Sequence, residues 1–342
     1  MALWCRFSPT GEYYDRVLSL RGGFSPREQM SRRADGQDMR KDGGRVLVSG
    51  ASGLIGSAVM SQAQAAGYDA VRLVRRRQAA SRSSIYWNPG NPLDSVHPVD
   101  LEGLDAVIHL SGATVAHRWT EAWKKEIVVS RVATTERLSR MLAMLRSKPR
   151  VLLCASAVGI YGNRGDELLT EESAPGSDFL AETCLQWEAA AQAARDAGIR
   201  VAHLRFGVVL SPQGGALARM LPAFRFGLGG RLGSGKQWMS WASLRDVVRV
   251  MFFLMDRDDL SGAFNVTAPQ PVTNLGFTQA LAAAVHRPAL FPVPPIALRL
   301  AFGEMADGAL LASQNAIPAK LERAGFTFQD REIRTALQAL LR

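Results

Sequence analysis

Gly50, Gly53 and Gly56, spaced three residues apart, are the part of this chain best suited to receive a charged ligand. They follow the apolar run Arg45-Val46-Leu47-Val48-Ser49 and open an apolar, alanine-rich stretch. A strand that breaks into a tight turn and then a helix leaves the helix's first N–H groups and its positive dipole end facing a phosphate. Gly50 permits the turn, Gly53 lets the backbone approach the phosphates, and Gly56 lets helix and strand pack closely. Ser52, Leu54 and Ile55 complete the turn whose backbone would line a pyrophosphate. The same glycines could serve only to reverse the chain, so the reading needs support from what lies around them.

That support comes at the end of the second strand. In dinucleotide-binding folds this position meets the adenosine ribose, and an acid there bonds the 2′-hydroxyl. Here the strand ends Val71-Arg72-Leu73-Val74-Arg75-Arg76-Arg77, with no acid in reach. Guanidinium groups at this point suit a 2′-phosphate through charge-assisted, often bidentate hydrogen bonds. The expected cofactor is therefore NADP(H), with Arg75 the first contact and Arg76 the second. The alternative is a basic loop that faces water.

The elements that must position these residues alternate along the chain. Strands are expected at Arg45–Ser49, Tyr68–Val74, Asp105–Leu110, Val151–Ala155 and Arg200–Phe206, and helices at Leu54–Ala66, Thr120–Leu145 and Phe179–Ala197. Strands without polar alternation, separated by helices, imply a parallel sheet covered on both faces. The fold class is α/β: a Rossmann-like, doubly wound parallel sheet with a smaller, mostly helical C-terminal substrate region. The expected division is a disordered extension over 1–44, a NADP-binding Rossmann domain over 45–210, and a substrate-side and C-terminal helical region over 211–342. In that last region, short helices are expected at Leu244–Met255, Asn274–Val285, Pro295–Phe302, Ala316–Arg323 and Arg331–Leu341.

Composition narrows the function classes. Hydrophobic residues make up 47% of the 342 and charged residues 21%, as in an ordinary globular protein. The net charge of +10 is carried mostly by arginines scattered among acids, without a nucleic-acid-binding signature, so no nucleic-acid partner is expected. No apolar run is long enough for a membrane span. Cys5, Cys154 and Cys184 are far apart and odd in number, which argues against a disulfide framework or a metal site. A cytoplasmic protein acting on a small molecule is the expectation, and a homodimer is compatible with it.

The order of motifs resembles the extended short-chain dehydrogenase/reductases. The relevant stretches are the Gly-x-x-Gly-x-x-Gly turn, His109-Leu110-Ser111-Gly112-Ala113 and Ser156-Ala157-Val158-Gly159-Ile160-Tyr161-Gly162. Arg118-Trp119-Thr120, Ser130-Arg131, Asp178-Phe179-Leu180-Ala181, Trp187-Glu188, Gln237-Trp238-Met239-Ser240-Trp241 and Gly303-Glu304 bring it closer to the atypical epimerase-family branch. That branch carries a small C-terminal domain of unknown function, and the resemblance covers 45–342. It implies that Leu110, Ser111 and Gly112 border the cofactor and that hydride transfer occurs at a carbonyl or hydroxyl carbon.

In ordinary members a Tyr-x-x-x-Lys pair supplies the acid/base and holds the nicotinamide ribose. Counting back from Glu188, the lysine slot holds Cys184 and the tyrosine slot Leu180. The pair is absent, since leucine cannot move a proton and a neutral thiol is a poor substitute for an ammonium. Ser156 is left to polarise a carbonyl, or else simply closes its strand. Tyr161 could donate a proton from a neighbouring loop, or else lines the pocket. Trp238 and Trp241 could form a flat, apolar substrate wall or pack in a core, and Arg118, Arg131, Arg225 and Arg231 are candidate anion contacts. Two functions follow: an NADP(H)-dependent oxidoreductase or epimerase, or an NADP(H)-binding regulator that has lost turnover.

Overall fold

In the computed structural model, residues 44–76, 83–91 and 96–342 are described. The expected extension, apart from Gly44, and Arg77 lie outside them. The main sheet contains β1 (Arg45–Ser49), β2 (Asp69–Val74), β3 (Ser84–Tyr86), β4 (Ala106–His109), β5 (Val151–Ala157), β7 (Arg200–Phe206) and β11 (Gly262–Val266). The short strand β6 (Leu168–Leu169) lies between β5 and β7 in the chain and belongs to a separate pair. Spatial order is β11-β7-β5-β4-β1-β2-β3, and every neighbouring pair is parallel. The chain runs outward from β1 through β2 to β3, then crosses back to β4 and continues the other way. The reversal lies between β1 and β4, where such sheets open a crevice at their carboxyl ends.

β1, β4 and β5 are buried along nearly their whole length because both faces are covered. On one face Val46 and Val48 of β1 pack with Val59, Met60 and Ala63 of α1 (Leu54–Ala65) and with Val247, Met251 and Leu254 of the later helix Leu244–Asp256. On the other, Leu47 packs with Leu138, Met141 and Leu142 from the segment Val132–Ala143. Adjacent residues of one strand thus bury in opposite cores, as the pleat requires.

The expected helix over Thr120–Leu145 is two helices, α2 (Glu121–Val129) and α3 (Val132–Ala143). They part at Ser130 and Arg131. The Ser130 hydroxyl donates back to Ile127 O (3.2 Å) and accepts from Ala113 N (3.0 Å), drawing that turn toward the loop after β4. Phe179–Ala197 divides in the same way into α4 (Phe179–Ala189) and α5 (Gln192–Asp196).

The second half contributes more strand than its composition suggested. β11 joins the main sheet beside β7, so the sheet crosses the expected boundary at 210. β8 (Val208–Ser211) pairs with β10 (Trp241–Ser243), and β9 (Trp238–Met239) with β12 (Val272–Thr273). β13 (Asn315–Ala316) returns to pair with β6. The helices are α6 (Gly215–Arg225), α7 (Leu244–Asp256), α8 (Asn274–Ala284), α9 (Pro295–Phe302), α10 (Ala319–Arg323) and α11 (Ile333–Leu340).

One carboxylate fixes the C-terminal segment to the sheet layer. Asp246, in the first turn of α7, is buried and accepts hydrogen bonds from Gln329 N (3.0 Å) and Asp330 N (2.8 Å) while pairing with Arg249 at 2.6 Å. Replacing it with alanine leaves two backbone donors and one cation without their acceptor. Asp246→Ala is expected to lower unfolding free energy by about 2–4 kcal/mol in urea melts, with Asp246→Asn losing clearly less. A second prediction concerns the glycine turn. A Cβ on Gly56 would lie 2.2 Å from Gly50 O and 2.8 Å from Ala51 Cα, whereas one on Gly53 would meet only Gly50 O at 3.3 Å. Gly56→Ala should therefore cost about 1–3 kcal/mol by thermal unfolding and Gly53→Ala less than about 1 kcal/mol.

Candidate functional site

At the carboxyl end of β1 the chain turns through Gly50, whose φ of +68° belongs to the left-handed region. A Cβ there would meet Leu110 O at 2.7 Å, so the turn after β1 and the turn after β4 lie against each other at the reversal point. The N-terminus of α1 follows at once. No side chain caps it and no acid lies in its first turn, so its positive end is left for a ligand. Ser52 and Gly53 are exposed there, with Leu54 and Ile55 half-buried. Gly214 and Gly215, at the start of α6, close over Leu54, where a Cβ on either would come within 3.2 Å of that side chain. Leu110, Ser111 and Gly112 border the turn from the β4 side. The cradle fits a diphosphate: it combines close backbone approach, free N–H donors and no negative charge.

Arg75 and Arg76 directly follow β2, are exposed, and form no ion pair among the described residues. The acid of this strand, Asp69, lies at its opposite end, 3.6 Å from Arg45.

Below the turn runs a buried line of neutral polar groups. Leu110 N donates to Ser49 Oγ (3.1 Å), which lies 2.6 Å from His109 Nδ1. His109 Nε2 lies 3.0 Å from Thr135 Oγ1, which also accepts from Trp187 Nε1 at 2.9 Å. Burial lowers the His109 pKa to about 4, so the imidazole is uncharged at neutral pH. The line ties the ends of β1 and β4 to α3 and α4, and holds the cradle's floor in place.

The two hydroxyls expected to do chemistry belong to a second buried network. Ser156 Oγ donates to Glu188 Oε1 at 2.7 Å. Glu188 is paired in bidentate fashion with Arg205, at 2.8 and 2.9 Å. Burial would raise the Glu188 pKa, but the Arg205 hydrogen bonds and charge outweigh it and hold the carboxyl below its usual range. Arg205 also donates to the Tyr161 hydroxyl (3.0 Å), which donates in turn to Asn265 Oδ1 (2.7 Å). Tyr161 has no exposed surface and Ser156 almost none, so both protons are committed inside the protein. The sequence reading did not single out Glu188, Arg205 and Asn265 as a unit. The available signal was a buried-strand arginine, Arg205, with no acid beside it in the chain.

The tyrosine slot, Leu180, packs in an apolar cluster with Trp119, Ile127, Phe179, Met305 and Leu310, the last two supplied by the C-terminal segment. The lysine slot, Cys184, is buried, and its thiol is pushed up to about 12 by burial, so it stays neutral. Close by, Arg131 lies at the break between α2 and α3. It donates to Ala113 O (2.9 Å) and Ile127 O (3.2 Å), and its guanidinium stacks on Trp187 with 5.0 Å to the ring centre.

The expected substrate wall is corrected at one tryptophan. Trp241 is fully buried in the cluster that includes Leu210, Leu217, Phe224 and Phe277, and its indole N–H donates to Gln270 O at 3.0 Å. It packs and cannot touch a ligand. Trp238 is half-buried and donates to Asp166 Oδ1 at 2.8 Å, and Arg118 is exposed and donates to Leu300 O at 2.7 Å. Among the described residues, no group of three His, Cys, Asp or Glu could hold a metal ion, and no helix is long and apolar enough to cross a membrane.

Known proteins resemble this chain in sequence and fold. Residues 46–267 match the NAD dependent epimerase/dehydratase family, and 293–340 match DUF1731, a domain of unknown function. An epimerase family protein of Mycobacterium bovis is 46% identical over 293 residues, covering 85% of this chain and 96% of that protein. One from Staphylococcus aureus is 34% identical over 297 residues, 86% of this chain and 98% of its own. The crystal structure of the human epimerase family protein SDR39U1 with NADPH superposes with a TM-score of 0.79 at 30% identity, over 87% of this chain and 99% of that one. The glycine turn at the reversal of a parallel sheet and the C-terminal segment therefore have one account: the chain belongs to the NAD dependent epimerase/dehydratase family, with a Rossmann fold that binds NAD(P).

Proposed function

We propose that this protein binds NADP(H) in the crevice between β1 and β4 and supports hydride transfer at a carbonyl or hydroxyl carbon of a small molecule. The observation that carries the cofactor reading is the pair Arg75 and Arg76, directly after β2, exposed and without a carboxylate partner among the described residues. A guanidinium there recognises a 2′-phosphate, whereas an acid would recognise the 2′-hydroxyl. The NADPH in the human structural neighbour supports the same choice.

The nicotinamide, when bound, supplies the hydride donor or acceptor. This chain's own contribution is to bind, orient and exclude water. The α1 N-terminus and the Gly50–Gly56 turn receive the diphosphate, and Arg75 and Arg76 the adenosine end. The cluster around Leu180, with Trp119, Phe179, Met305 and Leu310, provides a dry wall that favours a substrate with an apolar body. Trp238 and Arg118 stay as candidate substrate contacts, the first flat and apolar, the second able to meet an anion.

A specific observation favours a second reading, in which NADP(H) is bound without turnover and the protein acts as a regulator. Ser156 and Tyr161 both spend their protons inside a buried network, and Leu180 and Cys184 cannot move one. Loss of NADPH absorbance with any member of a panel of aldehydes, ketones and quinones supports the enzyme. Tight binding with no consumption across that panel supports the regulator.

Two outcomes are expected. Arg75→Glu should weaken NADPH binding about ten- to a hundredfold by calorimetry while leaving NADH affinity within about twofold, since only the 2′-phosphate contact is lost. Equal weakening of both cofactors would remove the assignment. Tyr161→Phe should lower stability by about 1–2 kcal/mol through the lost Asn265 and Arg205 hydrogen bonds, with NADPH affinity and any turnover unchanged. A large drop in turnover at unchanged affinity would return Tyr161 to the chemistry.

A further inference from the structure

Arg131 is a guanidinium in a place where burial should demand a counter-ion. It forms no ion pair among the described residues, yet it lies half-buried between the loop after β4 and α4. Burial pushes its pKa down. Arginine nevertheless keeps its proton in proteins. Two N–H donors go to the Ala113 and Ile127 carbonyls, leaving the rest of the planar fork for something else. A partly desolvated cation with spare donors calls for an oxygen-rich, negatively charged ligand.

Position says which part of a ligand it would meet. The turns after β1 and β4 touch at Gly50 and Leu110, so a dinucleotide laid across that point has its halves on opposite sides. Arg75 and Arg76, after β2, take the adenosine side. Arg131 sits on the other, beside Gly112 and Ala113. Gly112 is exposed, and a Cβ there would lie 3.1 Å from the guanidinium carbon, so a side chain at 112 would crowd the group. The guanidinium is also held in place in advance. Trp187 stacks on it and is itself fixed by the Thr135 hydroxyl, and the break between α2 and α3 brings it against the loop.

We propose that Arg131 is the cation of the nicotinamide half of the site, donating to the ribose 5-phosphate unit there in place of the lysine that Cys184 has replaced. The proposal rests on the NADP(H) reading and adds to it a second anchoring arginine, on the far side of the crevice from Arg75. Arg131 holds the ribose and its phosphate; no proton transfer is assigned to it.

Calorimetry with three ligands tests it: NADPH, 2′-phospho-ADP-ribose, which keeps the second ribose phosphate, and 2′,5′-ADP, which lacks it. Arg131→Met keeps a long stem against Trp187 and removes the charge. The variant should bind NADPH and 2′-phospho-ADP-ribose about ten- to a hundredfold more weakly than the parent, and 2′,5′-ADP equally well. Arg131→Lys should recover part of the loss, because it restores the charge but not the fork. Unchanged affinity for all three ligands would overturn the proposal. Parallel weakening of all three would also overturn it, because Arg131 would then be acting through the fold. Failure of the unmodified protein to bind any of the three would instead remove the NADP(H) reading itself, so the two failures are distinct.

Discussion

The bidentate pair between Glu188 and Arg205 is the contact on which the β5–α4 side of this fold is built. Two charges leave water together, and the cost is met only because geometry and further hydrogen bonds satisfy them. Glu188 reaches it from α4, Arg205 from β7, Ser156 from β5, Tyr161 from the turn after β5, and Asn265 from β11. Asn265 passes the connection on by donating to Ile317 O at 2.9 Å, within the C-terminal segment. Removing either charge would strand the other in a dry interior. The hydroxyls of Ser156 and Tyr161 are thereby members of this buried network, Ser156 at one end and Tyr161 between Arg205 and Asn265.

This divides the crevice into two halves of different character. The β1–α1 half presents a left-handed glycine, an uncapped helix end and, after β2, arginines that form no ion pair among the described residues. In the β5–α4 half Leu180 joins an apolar cluster and Cys184 a buried neutral one. Between the two lies the neutral line from Ser49 through His109 and Thr135 to Trp187. It transmits position without adding charge.

Much of this was legible in the chain. Val46–Ser49, Val151–Ala155 and Arg200–Phe206 declare themselves as buried strands because they are apolar without alternation, and Pro295–Phe302 as a helix because proline opens it and Gly303 ends it. β11 was not legible, since Gly-Ala-Phe-Asn-Val is short and carries an asparagine whose burial depends on partners more than fifty residues away. The break at Ser130 and Arg131 was hidden because it depends on Ala113, seventeen residues earlier. Trp241 could not be told from a ligand-facing tryptophan, because alternation along a three-residue strand does not say which face is wet. Features set by local backbone conformation, such as the glycine turn, were readable, and those set by long-range contact were not.

The lateral position of β11 carries a consequence for how the molecule can be divided. Its pairing along β7 is the final addition to the sheet, and it comes from residues more than fifty positions beyond β7. A fragment ending near residue 210 would present β7 as a bare, flat, apolar margin and leave Val46, Val48 and Val59 without the cover of α7. Such a margin invites pairing with other chains. The nucleotide-binding half is thus not a detachable module, and during synthesis the nascent chain carries an unsealed edge until the polypeptide beyond Val266 has left the ribosome.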